Sequence, residues 1–232
     1  MNKYNALKEE AYQANMQLPA LGLVVFTFGN ASAADHDMGV FAIKPSGVPY
    51  RDLAPEHMVV VDFEGTVVEG QKRPSSDTLT HAVLYNTWKE IGGVVHTHST
   101  YATAWAQSLK DIPILGTTHA DHLTTAIPCA PPMSDQYIQD DYERMTGHQI
   151  IDELKSRQWS HLEVEMILVG SHASFTWGKD VNKAVYNSAI CETIAQMAYL
   201  SLQINPTLED LKDSLIKKHF ERKHGGSAYY GQ

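Results

Sequence analysis

The sequence predicts an α/β fold in which a mixed sheet is covered by helices. Short runs of β-branched and aromatic residues, such as 40–43 and 92–98, alternate with longer segments of helical periodicity, such as 180–203. The alternation does not follow a strict βαβ rhythm, so a purely parallel sheet is not expected. The chain has 232 residues, 43% of them hydrophobic, and no internal repeat or long linker. We therefore expect one domain over residues 1–232.

The predicted elements of the first half are mostly strands. Residues 23–28 and 40–43 are β-branched or aromatic runs followed by the turn sequences GNAS and KPSG. Glu64-Gly65 separates two apolar runs and predicts a hairpin, and Ser75-Ser76-Asp77 offers polar caps to a helix. In chain order we predict a helix over 4–17, strands over 23–28, 40–43, 58–62 and 66–68, and a helix from 75 to about 88.

The second half is mostly helical. Residues 92–98 form an apolar run of the kind buried in a sheet, and 165–169 with 174–177 form a second pair of strands. Thr, Pro and His dominate residues 111–135, which predicts irregular structure. Helices are predicted over 101–108, about 147–157, about 180–203 and about 207–221.

The composition excludes several classes of protein. With 18 Lys and Arg against 27 Asp and Glu, the net charge is −9 at pH 7, and such a surface repels nucleic-acid phosphates and anionic headgroups. No apolar run is long enough to span a bilayer, and the amphipathic N-terminus is unlike a signal peptide. The two cysteines, Cys129 and Cys191, are too few for a disulfide scaffold and fit a reducing compartment. We expect a cytoplasmic protein without a nucleic-acid or membrane partner.

The strongest chemical signal is the pair His96 and His98, at the end of the apolar run 92–98. In a strand, side chains two residues apart leave the same face, so both imidazoles can reach one ion. Imidazole suits zinc and other late first-row metals better than magnesium or calcium. Surface histidines at this spacing also arise by chance, and that alternative stays open on the pair alone.

Two further residues are candidate ligands of the same ion. His172 also lies just past an apolar strand, and a third imidazole from a remote strand would leave an open coordination position, as a catalytic metal requires. Asp77 is a candidate fourth ligand. The alternatives are a hydrogen-bonded loop histidine for His172 and helix capping for Asp77. No cysteine lies near these segments to complete a structural zinc site. The three histidines and the aspartate therefore favour a catalytic metal ion.

Three turns of small residues can present backbone N–H groups to an anion: Gly29-Asn30, Ser46-Gly47 and Ser75-Ser76. Ser75-Ser76 precedes a predicted helix, whose free amides and positive dipole end favour a phosphate, and Lys44 can add charge. Each of these segments is also compatible with an ordinary turn or helix cap that binds no anion. Neither G-x-x-x-x-G-K-[ST] nor G-x-G-x-x-G is present, so we expect a small phosphate rather than a nucleotide.

Five segments together resemble the class II aldolase family, and within it the sugar-phosphate 4-epimerases. They occur in order and with near-identical spacing over essentially the whole chain. The family also includes L-fuculose-phosphate aldolase and the aldolase-like domain of adducin. The segments are IKPSGV at 43–48, RPSSDT at 73–78, GGVVHTHS at 92–99, GTTHAD at 116–121 and KHGGSAYYGQ at 223–232.

The resemblance implies a three-layer α/β/α sandwich with a mixed, largely antiparallel central sheet, and a homotetramer with active sites at subunit interfaces. It also implies one Zn²⁺ per subunit, with Mn²⁺ or Co²⁺ as substitutes, and these four ligands: Asp77, His96, His98 and His172. The positions that match the family's substrate contacts are Gly29, Asn30, Ser46, Gly47, Ser75 and Ser76. The positions that match the acid–base pair are Asp121, in GTTHAD, and Tyr230, in AYYGQ.

The activity that the resemblance implies is the interconversion of L-ribulose 5-phosphate and D-xylulose 5-phosphate. It proceeds by retro-aldol cleavage of the C3–C4 bond, rotation of the aldehyde and re-addition. Two alternatives stay open: an aldolase of the L-fuculose-phosphate type, and a non-catalytic adducin-like binding module. Asp121 and the AYYGQ ending favour the epimerase over the aldolase, and the presence of all four metal ligands favours an enzyme over the binding module.

Three positions depart from the family pattern. Phe28 stands where Trp usually precedes Gly-Asn, and His122 where Tyr usually follows the acid–base Asp. Ala173-Ser174 replaces a usual Gly-Pro after the third histidine. None of these changes removes a functional group that the chemistry needs.

Overall fold

One eight-stranded sheet organises the structure, a computed structural model that describes residues 2–226 and 228. The strands are β1 (Asn30–Asp35), β2 (Val40–Ile43), β3 (Val59–Asp62), β4 (Val67–Glu69), β5 (Gly93–Thr97), β6 (Cys129–Ala130), β7 (Met166–Val169) and β8 (Ser174–Gly178). Their order across the sheet is β4-β3-β2-β1-β5-β8-β7-β6. Neighbouring strands are antiparallel except for the parallel pair β6–β7 at one edge. The expected mixed, largely antiparallel sheet is confirmed.

Helices cover both faces of this sheet. They are α1 (Asn5–Ala20), α2 (Thr78–Thr87), α3 (Thr100–Gln107), α4 (Thr117–Ala120), α5 (Asp135–Asp140), α6 (Tyr142–Ser156), α7 (Val181–Ile204) and α8 (Asp213–His224). One face packs against α1, α3 and α7, and the other against α2 and α6, which confirms the expected α/β/α layers. Among the helices of the described residues, none has the length and apolar character needed to cross a membrane.

The core lies on both sides of the sheet because successive side chains of a strand point to opposite faces. In β2, Phe41 and Ile43 pack in the cluster that holds α2 and α6, whereas Val40 and Ala42 pack in the cluster that holds α1. All four side chains are buried. A strand covered on both faces is a continuous apolar run in sequence, which is why residues 40–43 were recognisable as a strand.

The strand predicted over residues 23–28 is wrong. This segment is a loop, and the strand lies later, at β1, so that most of the predicted GNAS turn falls inside the sheet. Phe26 is 81% exposed and has a left-handed φ of 56°, neither of which suits a buried strand. β1 instead contains the small residues Ala31 and Ala33, against which α1 packs. Alanine has a weak strand propensity, so β1 carried little sequence signal.

The helix predicted near 147–157 is longer than expected, because α6 begins at Tyr142. Asp141 caps it by accepting a hydrogen bond from the backbone N–H of Arg144. Gly147 lies inside the helix, although glycine usually weakens one. A Cβ at this position would lie 2.7 Å from the Cβ of Val83 on α2, so close packing of the two helices requires glycine there.

The helix predicted over 207–221 begins later, at Asp213, and ends at His224. The backbone N–H of Leu211 donates to the carbonyl of Ile114 at 2.7 Å, which ties the preceding residues to a neighbouring loop instead of a helical turn. Residues 111–135 are largely irregular as predicted, but contain the short elements α4 and β6. The remaining predicted elements are confirmed to within a few residues.

Candidate metal centre and substrate cavity

β5 carries two of the candidate ligands into the middle of the sheet. His96 pairs in register with Asn30 of β1 and with Phe175 of β8. Its buried ring stacks on that of Phe175, with centroids 4.2 Å apart. Its Nδ1 lies 3.0 Å from the carbonyl oxygen of Ser174. A proton on Nδ1 donates to this carbonyl, which fixes the ring and leaves the Nε2 lone pair available.

Three imidazoles converge at the end of β5. His98 leaves the same face as His96, and the two Nε2 atoms are 3.1 Å apart. His172 comes from the turn between β7 and β8, where Ser171 adopts a left-handed φ of 61°. One ring nitrogen from each histidine lies within 4.8 Å of the other two. The fold thus brings together three side chains that are far apart in the sequence.

The surroundings keep the imidazoles of His98 and His172 neutral. Burial, followed by the neighbouring His96, lowers the pKa of His98 to about 4 and that of His172 to about 3. A neutral imidazole offers a lone pair, and a cluster of such rings is a donor set that suits late first-row metals. The three histidines can therefore hold a metal ion.

Asp77 is the N-cap residue of α2, but its side chain makes no capping hydrogen bond. Its Oδ2 accepts instead from Nδ2 of Asn30 at 2.7 Å, and the residue lines the same cavity as the histidines. Burial by itself raises the pKa of Asp77. The imidazoles of His96 and His81 and the Asn30 hydrogen bond outweigh it, so the pKa is held below its ordinary value. The cavity therefore contains an ionised carboxylate beside the imidazoles.

The predicted phosphate turns share a cavity of about 560 Å³ with the histidines. The turns at 44–47 and 73–76 are joined, since the N–H of Ser46 donates to the Arg73 carbonyl and the N–H of Ser75 donates to the Lys44 carbonyl. All of the predicted substrate contacts line this cavity: Gly29, Asn30, Lys44, Ser46, Gly47, Ser75 and Ser76.

Gly29 is a position that only glycine fits. Its φ is +73°, and a Cβ would lie 2.7 Å from Cγ1 of Val24 and 2.9 Å from the carbonyl oxygen of His96. This close approach places Asn30 beside the end of β5. Nδ2 of Asn30 donates to Ser75 Oγ at 3.0 Å as well as to Asp77, so the amide links the metal side of the cavity to the turn at Ser75.

Lys44 is buried at the wall of the cavity, with an exposed fraction of 2%. Its Nζ donates to the carbonyls of Thr27 at 3.2 Å and Pro45 at 3.4 Å, and lies 4.9 Å from the ring centroid of Tyr50. Burial lowers its pKa to about 8. Among the described residues no carboxylate pairs with Lys44, so its charge at neutral pH is available to an anion in the cavity.

Five residues that line the cavity were not predicted from the sequence: Thr27, Phe28, Pro45, Tyr142 and Glu143. Phe28 is 56% exposed, and its ring lies 6.5 Å from that of His98. The Tyr142 hydroxyl lies 3.4 Å from Nδ1 of His172. Tyr142 and Glu143 were missed because they open α6, whose start the pattern places too late. A capping aspartate at 141 was the available signal.

Asp121 does not line this cavity. It follows α4, and its carboxylate accepts hydrogen bonds from Arg222 at 3.1 Å and from Nδ1 of His219 at 3.0 Å, both on α8. Burial raises its pKa, but the hydrogen bonds from Arg222 and His219 outweigh this and hold the pKa below its ordinary value. Within one chain, Asp121 is thus an ionised carboxylate bound to α8 and separate from the histidines.

The other predicted acid–base residue, Tyr230, lies outside the described residues. Next to Asp121, His122 lies 3.5 Å from Nζ of Lys223, which also donates to the Tyr186 hydroxyl at 3.2 Å. Burial, and then the charges of Lys223 and Lys183, lower the pKa of His122 to about 4. His122 therefore stands as a neutral ring beside Asp121.

Comparisons with known proteins identify the family of this chain. The sequence profile described as Class II Aldolase and Adducin N-terminal domain matches residues 9–199. The L-ribulose-5-phosphate 4-epimerase UlaF of Salmonella paratyphi B is 51% identical over 226 residues, covering 97% of this chain and 98% of that protein. UlaF of Salmonella typhi shows the same identity and coverage.

Solved structures show the same fold. An L-fuculose 1-phosphate aldolase has a TM-score of 0.76 at 22% identity, covering 94% of this chain and 95% of its own. The L-fuculose-1-phosphate aldolase of Thermus thermophilus has a TM-score of 0.67 at 22% identity, covering 88% and 98%. At such identities the likeness concerns the fold alone. Class II aldolases are typically metal-dependent, which fits the histidine cluster. By profile and by curated relatives, this chain belongs to the class II aldolase and adducin family.

Proposed function

We propose that this chain is an L-ribulose-5-phosphate 4-epimerase, which interconverts L-ribulose 5-phosphate and D-xylulose 5-phosphate. The observation that carries the proposal is the single cavity shared by three converging imidazoles, Asp77 and three turns that present amides and hydroxyls. The identity of 51% to epimerases over nearly the whole chain supports the choice of substrate. The substrate class is a small sugar phosphate.

The reaction requires a group that stabilises the negative charge formed when the carbon–carbon bond breaks. Carbon 4 is not adjacent to the ketone at carbon 2, so removing a proton from carbon 4 gives no stabilised carbanion. Breaking the C3–C4 bond does, because the electron pair left on carbon 3 is delocalised into the C2 carbonyl as an enediolate. A divalent ion held by Asp77, His96, His98 and His172 would supply Lewis-acid stabilisation of that charge. We propose zinc as this ion, with manganese or cobalt as substitutes, on the basis of the imidazole donors.

The turns of the cavity would retain the other fragment, glycolaldehyde phosphate. Amides and hydroxyls of Ser46-Gly47 and Ser75-Ser76 are suited to the phosphate, and the charge of Lys44 adds attraction. A phosphate held at one end leaves the aldehyde free to rotate about its single bond. Re-addition to the opposite face of the aldehyde then inverts carbon 4.

Two groups must exchange protons with the hydroxyl on carbon 4, one on each face, and we propose Asp121 and Tyr230 for these roles. Asp121 lies outside the cavity of its own chain. We therefore propose that a neighbouring subunit of a homotetramer supplies Asp121, with each active site at a subunit interface. The Arg222 and His219 contacts would then position Asp121 for the neighbouring cavity.

The direct test is a conversion assay with L-ribulose 5-phosphate, with and without chelator. We expect D-xylulose 5-phosphate to form, conversion to stop after chelation, and zinc, manganese or cobalt to restore it. Release of dihydroxyacetone faster than epimerisation would identify an aldolase instead. An adducin-like binding module would be favoured if the purified protein contained far less than one metal ion per subunit and showed no conversion after metal was added.

A further inference from the structure

A buried histidine lies next to the metal centre without belonging to the proposed ligand set. His81 is fully buried on α2. It follows Asp77 by one helical turn, and its backbone N–H donates to the Asp77 carbonyl at 3.1 Å. Residues four apart lie on the same face of a helix, so the His81 side chain leaves α2 on the same side as Asp77, which lines the cavity.

Only one side of the His81 ring is hydrogen-bonded within the described residues. Its Nδ1 lies 2.7 Å from Oγ of Ser32 on β1, and the Tyr85 hydroxyl lies 2.7 Å from the same Oγ and 2.9 Å from the Ser32 carbonyl. Nε2 is buried and has no hydrogen-bond partner in the described part of the chain. A buried nitrogen without a hydrogen-bond partner destabilises the folded protein. The presence of histidine at this position therefore requires an explanation.

The groups around His81 indicate whether Nε2 acts as a hydrogen-bond donor or as an acceptor. Its ring lies 6.3 Å from Phe175, the residue on which His96 stacks. A charge on the His81 ring would interact with the carboxylate of Asp77 and with the imidazole of His96, both of which belong to the metal centre. A neighbouring carboxylate favours the tautomer with N–H on Nε2. In that tautomer the Ser32 hydroxyl donates to Nδ1, and the Tyr85 hydroxyl donates to the Ser32 carbonyl, so both hydroxyl protons are used.

We propose that His81 is a positioning residue of the metal centre, whose Nε2–H donates through one ordered water to the anionic side of the site at Asp77. The Ser32 hydroxyl holds Nδ1, and Nε2–H then restrains the carboxylate in the direction of the histidines. Groups that orient metal ligands in this way typically change metal affinity by about 10- to 100-fold when they are removed. The inference rests on the proposed metal site.

The test separates the two ring nitrogens. His81→Asn retains a polar group near Nδ1 and loses Nε2, whereas His81→Gln retains a polar group near Nε2. We expect His81→Asn to weaken Zn²⁺ or Co²⁺ binding by about 10- to 100-fold in a chelator competition, and His81→Gln to recover most of it. The visible absorption spectrum of the Co²⁺-loaded protein should change in His81→Asn, because the spectrum reports ligand geometry rather than activity.

His36 offers a matched control. Like His81, it has one hydrogen-bonded ring nitrogen and one buried nitrogen without a partner in the described residues: Nε2 lies 2.8 Å from the Ile91 carbonyl, and Nδ1 is the unpartnered atom. It follows β1 and its ring lies beside Phe63, so it is not on the helix that follows Asp77. His36→Asn should leave metal affinity and the Co²⁺ spectrum unchanged. Wild-type affinity in His81→Asn, or equal losses in His81→Asn and His81→Gln together with lower thermal stability, would overturn the inference. If the wild-type protein binds no metal, the proposed function itself fails.

Discussion

Gly93 controls how closely β5 approaches the start of α7, and replacing it with alanine tests how the metal centre is held. A Cβ at Gly93 would lie 2.2 Å from Cα and 2.5 Å from the backbone nitrogen of Val181. Both are backbone atoms, so no side-chain rotation can relieve the overlap. Either β5, which carries His96, or the first turn of α7 must move.

The size of the effect follows from that distance. Ordinary van der Waals contact begins at 3.4 Å, so a Cβ at 2.2 Å requires a shift of 3.4 − 2.2 = 1.2 Å. Overpacking of this kind costs about 1–3 kcal/mol. For a domain of this size, that corresponds to a melting temperature lower by roughly 2–12 °C. Because His96 lies three residues further along β5, we also expect weaker metal binding.

The measurements are thermal unfolding of the metal-free protein and chelator competition of Gly93→Ala beside wild type. Gly116→Ala is the control, since a Cβ at Gly116 meets no atom within 4 Å and its extended φ of −153° suits any residue. The control should melt within about 1 °C of wild type, because a surface change without new contacts rarely alters stability. If Gly93→Ala melts with the control and binds metal normally, the close approach of β5 and α7 is not a constraint on the site.

Three further predictions concern the site itself. His98→Ala should abolish both C3–C4 cleavage and epimerisation and should lower bound metal measured by elemental analysis, because one of three converging imidazoles is lost; full metal occupancy with normal turnover would contradict its role. Asp121→Asn should lower turnover by about 10²–10⁴ while metal content stays at the wild-type level, since Asp121 is bound to α8 and separate from the histidines; loss of metal would contradict that placement. The metal-free protein should lose stability as pH falls from about 6.5 towards 3, because burial lowers the pKa of His81 from 6.5 to about 3, so that the unfolded chain binds a proton in this window and the folded chain does not. At pH 5 this amounts to about 2 kcal/mol, and urea unfolding of His81→Gln should show a weaker pH dependence.

The elements that the sequence predicted well are those with strong local patterns. β2 and β5 are apolar runs covered on both faces, and α7 is a long apolar helix against the sheet. β1 was missed because it is rich in alanine, whereas the aromatic run before it is an exposed loop. Packing of α1 on the sheet requires small residues in β1, and this requirement is not visible from strand propensity.

The candidate site was likewise predictable from local sequence only in part. Spacing alone places His96 and His98 on one face of a strand. Their meeting with His172 depends on the pairing of β5 with β8 and on the left-handed turn at Ser171. The separation of Asp121 from this cluster depends on the docking of α4 against α8, which no local pattern in the sequence specifies.

By itself, the sequence determined the types of most of the elements, the shared face of two histidines, and the turns that offer amides and hydroxyls to an anion. These properties depend on residues within a few positions of one another, so periodicity and turn chemistry express them directly. Only the tertiary structure decided that Asp77 faces the cavity without capping its helix, that Lys44 is buried without a carboxylate partner in the described residues, and that His81 is fully buried on the helix that follows Asp77. Those outcomes depend on contacts between segments that are remote along the chain, where burial and competing hydrogen bonds outweigh local preference.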